Sequence, residues 1–294
     1  MKYATPSAFR AALEQRLSTI AQQTRVPLVR LRKLVVFDRL LARLVVVAPN
    51  RWVVKGAVAL LFRVGPEFRT TKDMDLGRPD DEQAATADFL AAQAVDLGDH
   101  FAFVVERTRR LDRMLEGAAV RYHVTAQLAG RTFEDVTVDI GFGDPVVGEP
   151  ELVLGPELLT FAGIPPTEVP ALPLEQHVAE KVHAYTRSYA AGEPSTRVKD
   201  LVDLVMMSSL FSFQAGRLRQ ALMATFAARG THRLPDALPP PPTQWRAEYR
   251  TMAAEVGLGP DVSVGYEHIR AFLEPILAGV VPDGAQRDPT QRTW

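Results

Sequence analysis

Of the 294 residues, 47% are apolar and 23% charged, a balance that fits a folded globular protein and excludes a disordered one. The formal net charge of −1 gives no global attraction to nucleic acid, so any polyanion site has to be a local patch. Cysteine is absent, which excludes disulfides, zinc fingers and thiol nucleophiles and is compatible with a reducing cytoplasm.

The N-terminus has no apolar leader segment, and no stretch approaches the roughly 18 apolar residues of a membrane span. Thr5-Pro6 followed by SAFRAALEQRLSTIAQQ predicts a capped helix with proline in its first turn. A second helix is expected from Pro27 to about Leu44, where leucine and valine recur every three or four residues; Pro49-Asn50 ends it. Trp52–Val54 and Met74–Leu76 read as strands, 84–97 as an Ala-rich helix, and 101–106, 119–128 and 133–142 as further strands. Gly130-Arg131 marks a hairpin turn between the last two. Proline and glycine cluster from Gly143 to Pro173, which predicts a linker.

Helices alone follow, at about 174–190, 198–210, 214–228, 243–256 and 266–278. Pro239–Pro242 is expected to be a stiff spacer and the tail after Pro282 to fray. The architecture expected is α+β and bilobed. A mixed-sheet domain with N-terminal helices covers 1–155, a linker covers 156–173, and a helical domain covers 174–294. Two short basic runs, Arg25–Lys33 and Arg107–Arg113, are the candidates for touching a polyanion, although such runs also serve as solvated faces.

The most informative stretch is WVVKGAVALLFRVGPEFRTTKDMDL, from Trp52 to Leu76. Side chains alternate along a strand, so Asp73 and Asp75 share one face while Met74 and Leu76 point to the core. Two carboxylates held that close repel unless a cation lies between them, and Mg²⁺ is usually held by one or two carboxylates plus substrate phosphates. Upstream, Lys55, Gly56 and Ala57 follow a strand, and the bare backbone of Gly56 allows close approach of a phosphate. Arg69, Thr70 and Thr71 stand just before the acidic pair. On a continuing strand Thr71 would share the carboxylate face and Thr70 the opposite one. Asp135, Thr137 and Asp139 share the polar face of a later strand, where Asp139 is either a third carboxylate of a metal or base site or an edge-strand polar residue. The pattern points to a nucleoside-triphosphate site.

In the helical half, Lys181 borders the apolar face formed by Leu174, Val178, Val182 and Tyr185, so its ammonium either snorkels into a cleft or lies in solvent. His177 and His183 have no second ligand at metal spacing and read as surface or packing residues. Arg197, Asp200 and Asp203 line one flank of the next helix, where Asp200 is close enough to the start to serve the N-terminal dipole.

Together these strings, KGAVALLFR…RTTKDMDL, EQHVAEKVHAYTR and RVKDLVDL, resemble the AbiEii/AbiGii toxin family, including the mycobacterial MenT-type toxins, of the nucleotidyltransferase (polymerase-beta-like) superfamily. The resemblance covers about residues 50–210 and includes all three motifs in order. It implies a cytoplasmic, Mg²⁺-dependent enzyme with a nucleotidyltransferase lobe and a helical lobe, using an NTP. In some members the nucleotide goes to the 3′ end of tRNA, which stops translation, and a cognate antitoxin restrains the enzyme.

By that match Asp73 and Asp75 are the metal ligands, Gly56 is the phosphate-turn glycine and Lys181 the triphosphate-binding lysine. Asp200 or Asp203 is the acid of the last motif. Lys181 and Arg69 would neutralise the β and γ phosphates, and Asp139 would help deprotonate the attacking hydroxyl. Superfamily members usually carry Ser or Gly after the glycine; here Ala57 stands there, and Thr70 or Thr71 would have to replace the missing contact. A protein or small-molecule acceptor, and a non-catalytic scaffold binding tRNA or a partner, are the alternative readings.

Overall fold

The computed structural model describes residues 1–66, 68, 69, 71–107, 119–143, 147–187 and 197–294, and the chain divides into two compact units. Met1–Asp144 and Pro150–Leu172 make the first, and Pro145–Glu149 and Pro173–Trp294 the second. Among the described residues no helix is long and apolar enough to cross a membrane.

The first unit is a seven-stranded mixed sheet with helices, in the α+β class expected. Helix α1 (Pro6–Thr24) starts where the Thr5-Pro6 pair predicts, with Thr5 Oγ1 accepting from the Ala8 N–H at 3.3 Å. It buries Phe9, Leu13 and Leu17, and α2 (Leu28–Val47) buries its leucine and valine stripe. Strands β1 (Val53–Lys55), β2 (Asp73–Arg78), β3 (Phe101–Arg107), β4 (Ala119–Leu128), β5 (Arg131–Phe142), β6 (Glu151–Leu154) and β7 (Glu168–Ala171) lie in the order β3-β4-β5-β2-β1-β7-β6. The central pair, β2 and β5, is parallel, as is β1 with β7; the other pairs are antiparallel. Helices α3 (Gly56–Val64) and α4 (Glu82–Ala91) complete the unit, and the Phe89 ring packs at a tilt between Trp52 and Tyr122 at 6.0 and 4.6 Å.

The β4–β5 turn is Ala129-Gly130, both with positive φ (54° and 68°), one residue earlier than the sequence suggests. The Arg10 guanidinium ties that turn to α1 through the Leu128, Arg131 and Thr132 carbonyls at 2.8–3.0 Å.

Of the segment expected as a linker over 156–173, all but Pro173 groups with the first unit. It follows β6 and contains β7, and the Gly155-Pro156 step that leads into it is a packing device. A methyl on Gly155 would come within 2.2 Å of the buried Asp38 carboxylate. That carboxylate accepts from the Thr167 N–H at 2.9 Å and pairs with Arg39. Nearby, Arg43 forks onto Asp99 at 2.7 and 2.9 Å, both side chains 1% exposed. α2 is thereby pinned at two places by buried, charge-assisted bonds.

The second unit is helical: α5 (Leu174–Thr186), α6 (Val198–Leu210), α7 (Ala215–Arg229), α8 (Trp245–Glu255) and α9 (Val262–Leu277). The proline run is held from two sides. Tyr185 donates its hydroxyl to the Pro239 carbonyl and Tyr266 to the Leu238 carbonyl, each at 2.7 Å. The tail beyond Pro282 is ordered, contrary to the expected fraying. The Arg287 N–H donates to Phe213 O at 2.9 Å, Ser212 Oγ donates to Arg287 O at 2.7 Å, and the Trp294 ring stacks on Phe272 at 5.6 Å. An aromatic anchor at the very end outweighs the usual entropy of a terminus.

His268 on α9 shares hydrogen bonds with the hydroxyls of Ser208 and Ser209 at 2.9 and 3.4 Å. Burial, helped by the charges of Arg292 and Arg287, lowers its pKa from 6.5 to about 4. Unfolded chain therefore binds the proton more readily, so stability is intact above pH 6.5 and falls as the pH drops through 4. Urea denaturation at pH 7 and pH 5 is expected to show this loss in the wild type and a smaller one in His268→Gln.

Candidate active site

The site is built on the register of four strands. Lys55 on β1 pairs with Asp75 on β2, Asp75 with Asp139 on β5, and Asp139 with Arg121 on β4. Directly paired residues place their side chains on the same face, with Cβ atoms about 5 Å apart. One row across the sheet thus reads cation, acid, acid, cation. The alternating burial of β2 puts Met74 and Leu76 in the core and leaves Asp73 and Asp75 half-buried on the opposite face, as the period predicts. In the next row Asp73 pairs with Thr137, and Thr137 with the exposed His123.

Gly56 opens α3 with φ +56°, and a methyl there would sit 2.0 Å from Asp75 Oδ2. The bare backbone of this turn therefore makes room for the Asp75 carboxylate. The helix N-terminus also favours an anion beside it. Ala57, the departure from the usual pattern, is buried in the first turn of α3. Lys55 is buried, and its stem lies over Gly77, where a methyl would meet Cδ at 3.1 Å.

Arg121 forks onto Asp139 with Nε and Nη2 at 2.7 and 2.8 Å from the two oxygens. Among the described residues no group of three or more Asp, Glu, His or Cys side chains converges as a metal cluster. The Asp73 and Asp75 pair remains, with Gly56 giving the Asp75 carboxylate its space. Two carboxylates plus phosphate oxygens suit Mg²⁺, so the donor set fits that ion.

Before β2, Phe68 is fully buried and Arg69 lies over its ring at 5.8 Å. Arg30, from the basic run of 25–33, holds this loop by donating to Phe68 O at 2.7 Å and Pro66 O at 3.3 Å. Arg32 and Lys33 of the same run pair with Glu14 and Asp135 O. Thr71 departs from expectation. The strand starts only at Asp73 after a bend at Lys72, and the Thr71 hydroxyl donates to the Asp73 carbonyl at 3.0 Å. A short polar side chain has closed a local turn instead of extending the strand. Thr70 and residues 108–113 of the second basic run lie outside the described residues.

In the second unit, Lys181 is buried, with Nζ 2.5 Å from Asp203 and 3.3 Å from Asp200. Arg197 Nε approaches the other Asp200 oxygen at 2.8 Å. Of the two sequence alternatives, a solvated lysine is excluded, and Asp200 does more than serve its helix dipole. His177 and His183 are both buried, and His183 shares a hydrogen bond with Thr231 at 2.9 Å and packs on Phe226.

Sequence reasoning missed Arg121, and it read Arg30 only as part of a basic run for polyanions. Arg121 depends on a register that a plain hairpin does not give. A plain two-residue hairpin would pair it with Val138, setting a polar against a core position. A one-residue bulge in β5 restores matching faces and puts it opposite Asp139.

A family model for the AbiEii nucleotidyl transferase toxin of type IV toxin–antitoxin systems matches residues 39–275. Among solved structures, MenT4, a nucleotidyltransferase toxin from Mycobacterium tuberculosis H37Rv, is 19% identical, with 93% of this chain and 99% of that one covered and a TM-score of 0.49. JHP933 from Helicobacter pylori is 15% identical, with 84% and 96% covered and a TM-score of 0.45. No curated protein matches the sequence.

Two substitutions probe these contacts. Gly56→Ala places its methyl into the Asp75 carboxylate at positive φ and is expected to lower stability by about 1–3 kcal/mol, measured by urea denaturation. Lys181→Ala removes the buried cation that Asp200 and Asp203 share and is expected to lower it by about 3–5 kcal/mol in the same assay, whatever it does to nucleotide binding.

Proposed function

The chain belongs to the AbiEii family of nucleotidyltransferase toxins, and from that premise we propose that it moves a nucleoside monophosphate from an NTP to the 3′ end of a tRNA in the cytoplasm. The observation that carries the chemistry is the placing of Asp73 and Asp75 on one polar face, with Asp139 in register beside Asp75 and Gly56 against its carboxylate. Family membership alone supports the tRNA acceptor, the block of translation and a restraining antitoxin.

Asp73 and Asp75 would hold Mg²⁺, which supplies charge neutralisation to the triphosphate and its leaving group. The bare turn at Gly56 and the α3 N-terminus offer backbone N–H groups to phosphate oxygens. Lys55 and Arg69 add positive charge from either end of the segment. The acceptor hydroxyl oxygen bonds to the α-phosphorus as the bond to the α–β bridging oxygen breaks. Pyrophosphate leaves and the hydroxyl proton passes to Asp139. Lys181 has its ammonium matched by two carboxylates, so its first role in this reading is to hold α5 to α6.

One observation favours a second acceptor class, a protein or small molecule. Arg30, Arg32 and Lys33, which sequence offered as a polyanion patch, are engaged within the fold. Incubation with each α-labelled NTP and either total RNA or protein extract decides between them. Label in RNA of tRNA length is expected, lost by at least about a hundredfold in Asp73→Asn and Asp75→Asn with circular dichroism unchanged. Label in protein would move the acceptor to the second class, and no label in either would remove the transferase reading.

A further inference from the structure

We propose that Arg121 is a built-in counter-ion that competes with the divalent cation for Asp139, and so sets how tightly the site takes metal before substrate arrives. This rests on the reading that Asp73 and Asp75 hold the cation.

Asp75 and Asp139 are direct partners on adjacent parallel strands, so their carboxylates face the same side about 5 Å apart at Cβ. Such a pair is unfavourable without positive charge between or beside it. The row supplies that charge at both ends, Lys55 beside Asp75 and Arg121 on Asp139, and the four charges sum to zero. Arg121 holds both Asp139 oxygens in a planar fork, the geometry in which a guanidinium binds a carboxylate best. Those two oxygens are the ones a third metal ligand or a proton acceptor would use, so Asp139 cannot serve either role until the fork opens.

Exposure favours an opening. The Arg121 side chain is 31% exposed and Asp139 12%, so the cation of the pair is the partner with a way out into solvent. A divalent ion at Asp73 and Asp75 repels the guanidinium and attracts the Asp139 oxygens, so the exchange runs in one direction on metal binding. Arg121 is thus a positioning residue: without metal it keeps the acidic row neutral and the strands in register, and it yields Asp139 when the cation comes.

The test is a Mn²⁺ titration by calorimetry, without nucleotide, of the full chain and its variants. Arg121→Gln is expected to bind Mn²⁺ about tenfold more tightly than wild type and to gain more melting temperature from saturating Mn²⁺. Arg121→Lys, which keeps the charge but loses the fork, is expected to fall between the two, and it stands in if the glutamine variant does not fold. In an Asp139→Asn background the effect of Arg121→Gln is expected to vanish, because the coupling runs through that carboxylate. Affinity unchanged by Arg121→Gln, or a gain that persists without Asp139, would overturn the proposal. Asp75→Asn separates the two readings: if it abolishes Mn²⁺ binding while Arg121 variants change nothing, the metal site stands and only the competition fails. If wild type and variants alike bind no Mn²⁺, both fall.

Discussion

The parallel, in-register pairing of β2 with β5 is the constraint on which the first unit turns. It sets Asp75 beside Asp139 and Met74 beside Val138, so a single register aligns the acids on one face and the apolar side chains on the other. A slip of one residue would send the carboxylates into the core, where an unpaired charge costs several kcal/mol or forces protonation. Everything around the pair serves to hold that register. Tyr122 and Phe89 clamp the core side, Lys55 and Arg121 balance charge on the polar side, and Gly56 yields its side-chain volume to Asp75. The site and the core are therefore two faces of one strand alignment.

Much of this was legible in the sequence because it rests on local periodicity. Alternation at 73–76 and 136–140 named the polar face, the Thr5-Pro6 pair named a helix start, and leucine and valine spacing named α2. Family motifs pointed to the AbiEii family, and the family match over 39–275 bears out that resemblance. What stayed hidden depends on partners far along the chain. Glycine and proline between 143 and 173 suggested a linker because their local preference is for loops. Gly155 is there because Asp38, more than a hundred residues earlier, occupies the space a side chain would take. Arg121 became visible only through a bulge, and Arg30 only through carbonyls of a loop that follows it by more than thirty residues.

Buried charge in both units is organised by the same rule, that an ion leaves water only with its partners supplied. Arg43 with Asp99 fixes α2, and Lys181 with Asp200 and Asp203 joins α5 to α6. These differ from the Asp75–Asp139 row in one respect. Their charges are sealed in the interior, whereas Asp75, Asp139 and Arg121 lie only half-buried on a polar face.

The central claim is that the paired acids of β2 form a cation-dependent triphosphate site. Calorimetric titration with a non-hydrolysable NTP analogue tests it most directly, in Mn²⁺ or in chelator, on wild type and Asp75→Asn. The account predicts saturable binding in Mn²⁺ that chelator and Asp75→Asn each abolish. Equal binding with and without the cation, or full binding by Asp75→Asn, would contradict it.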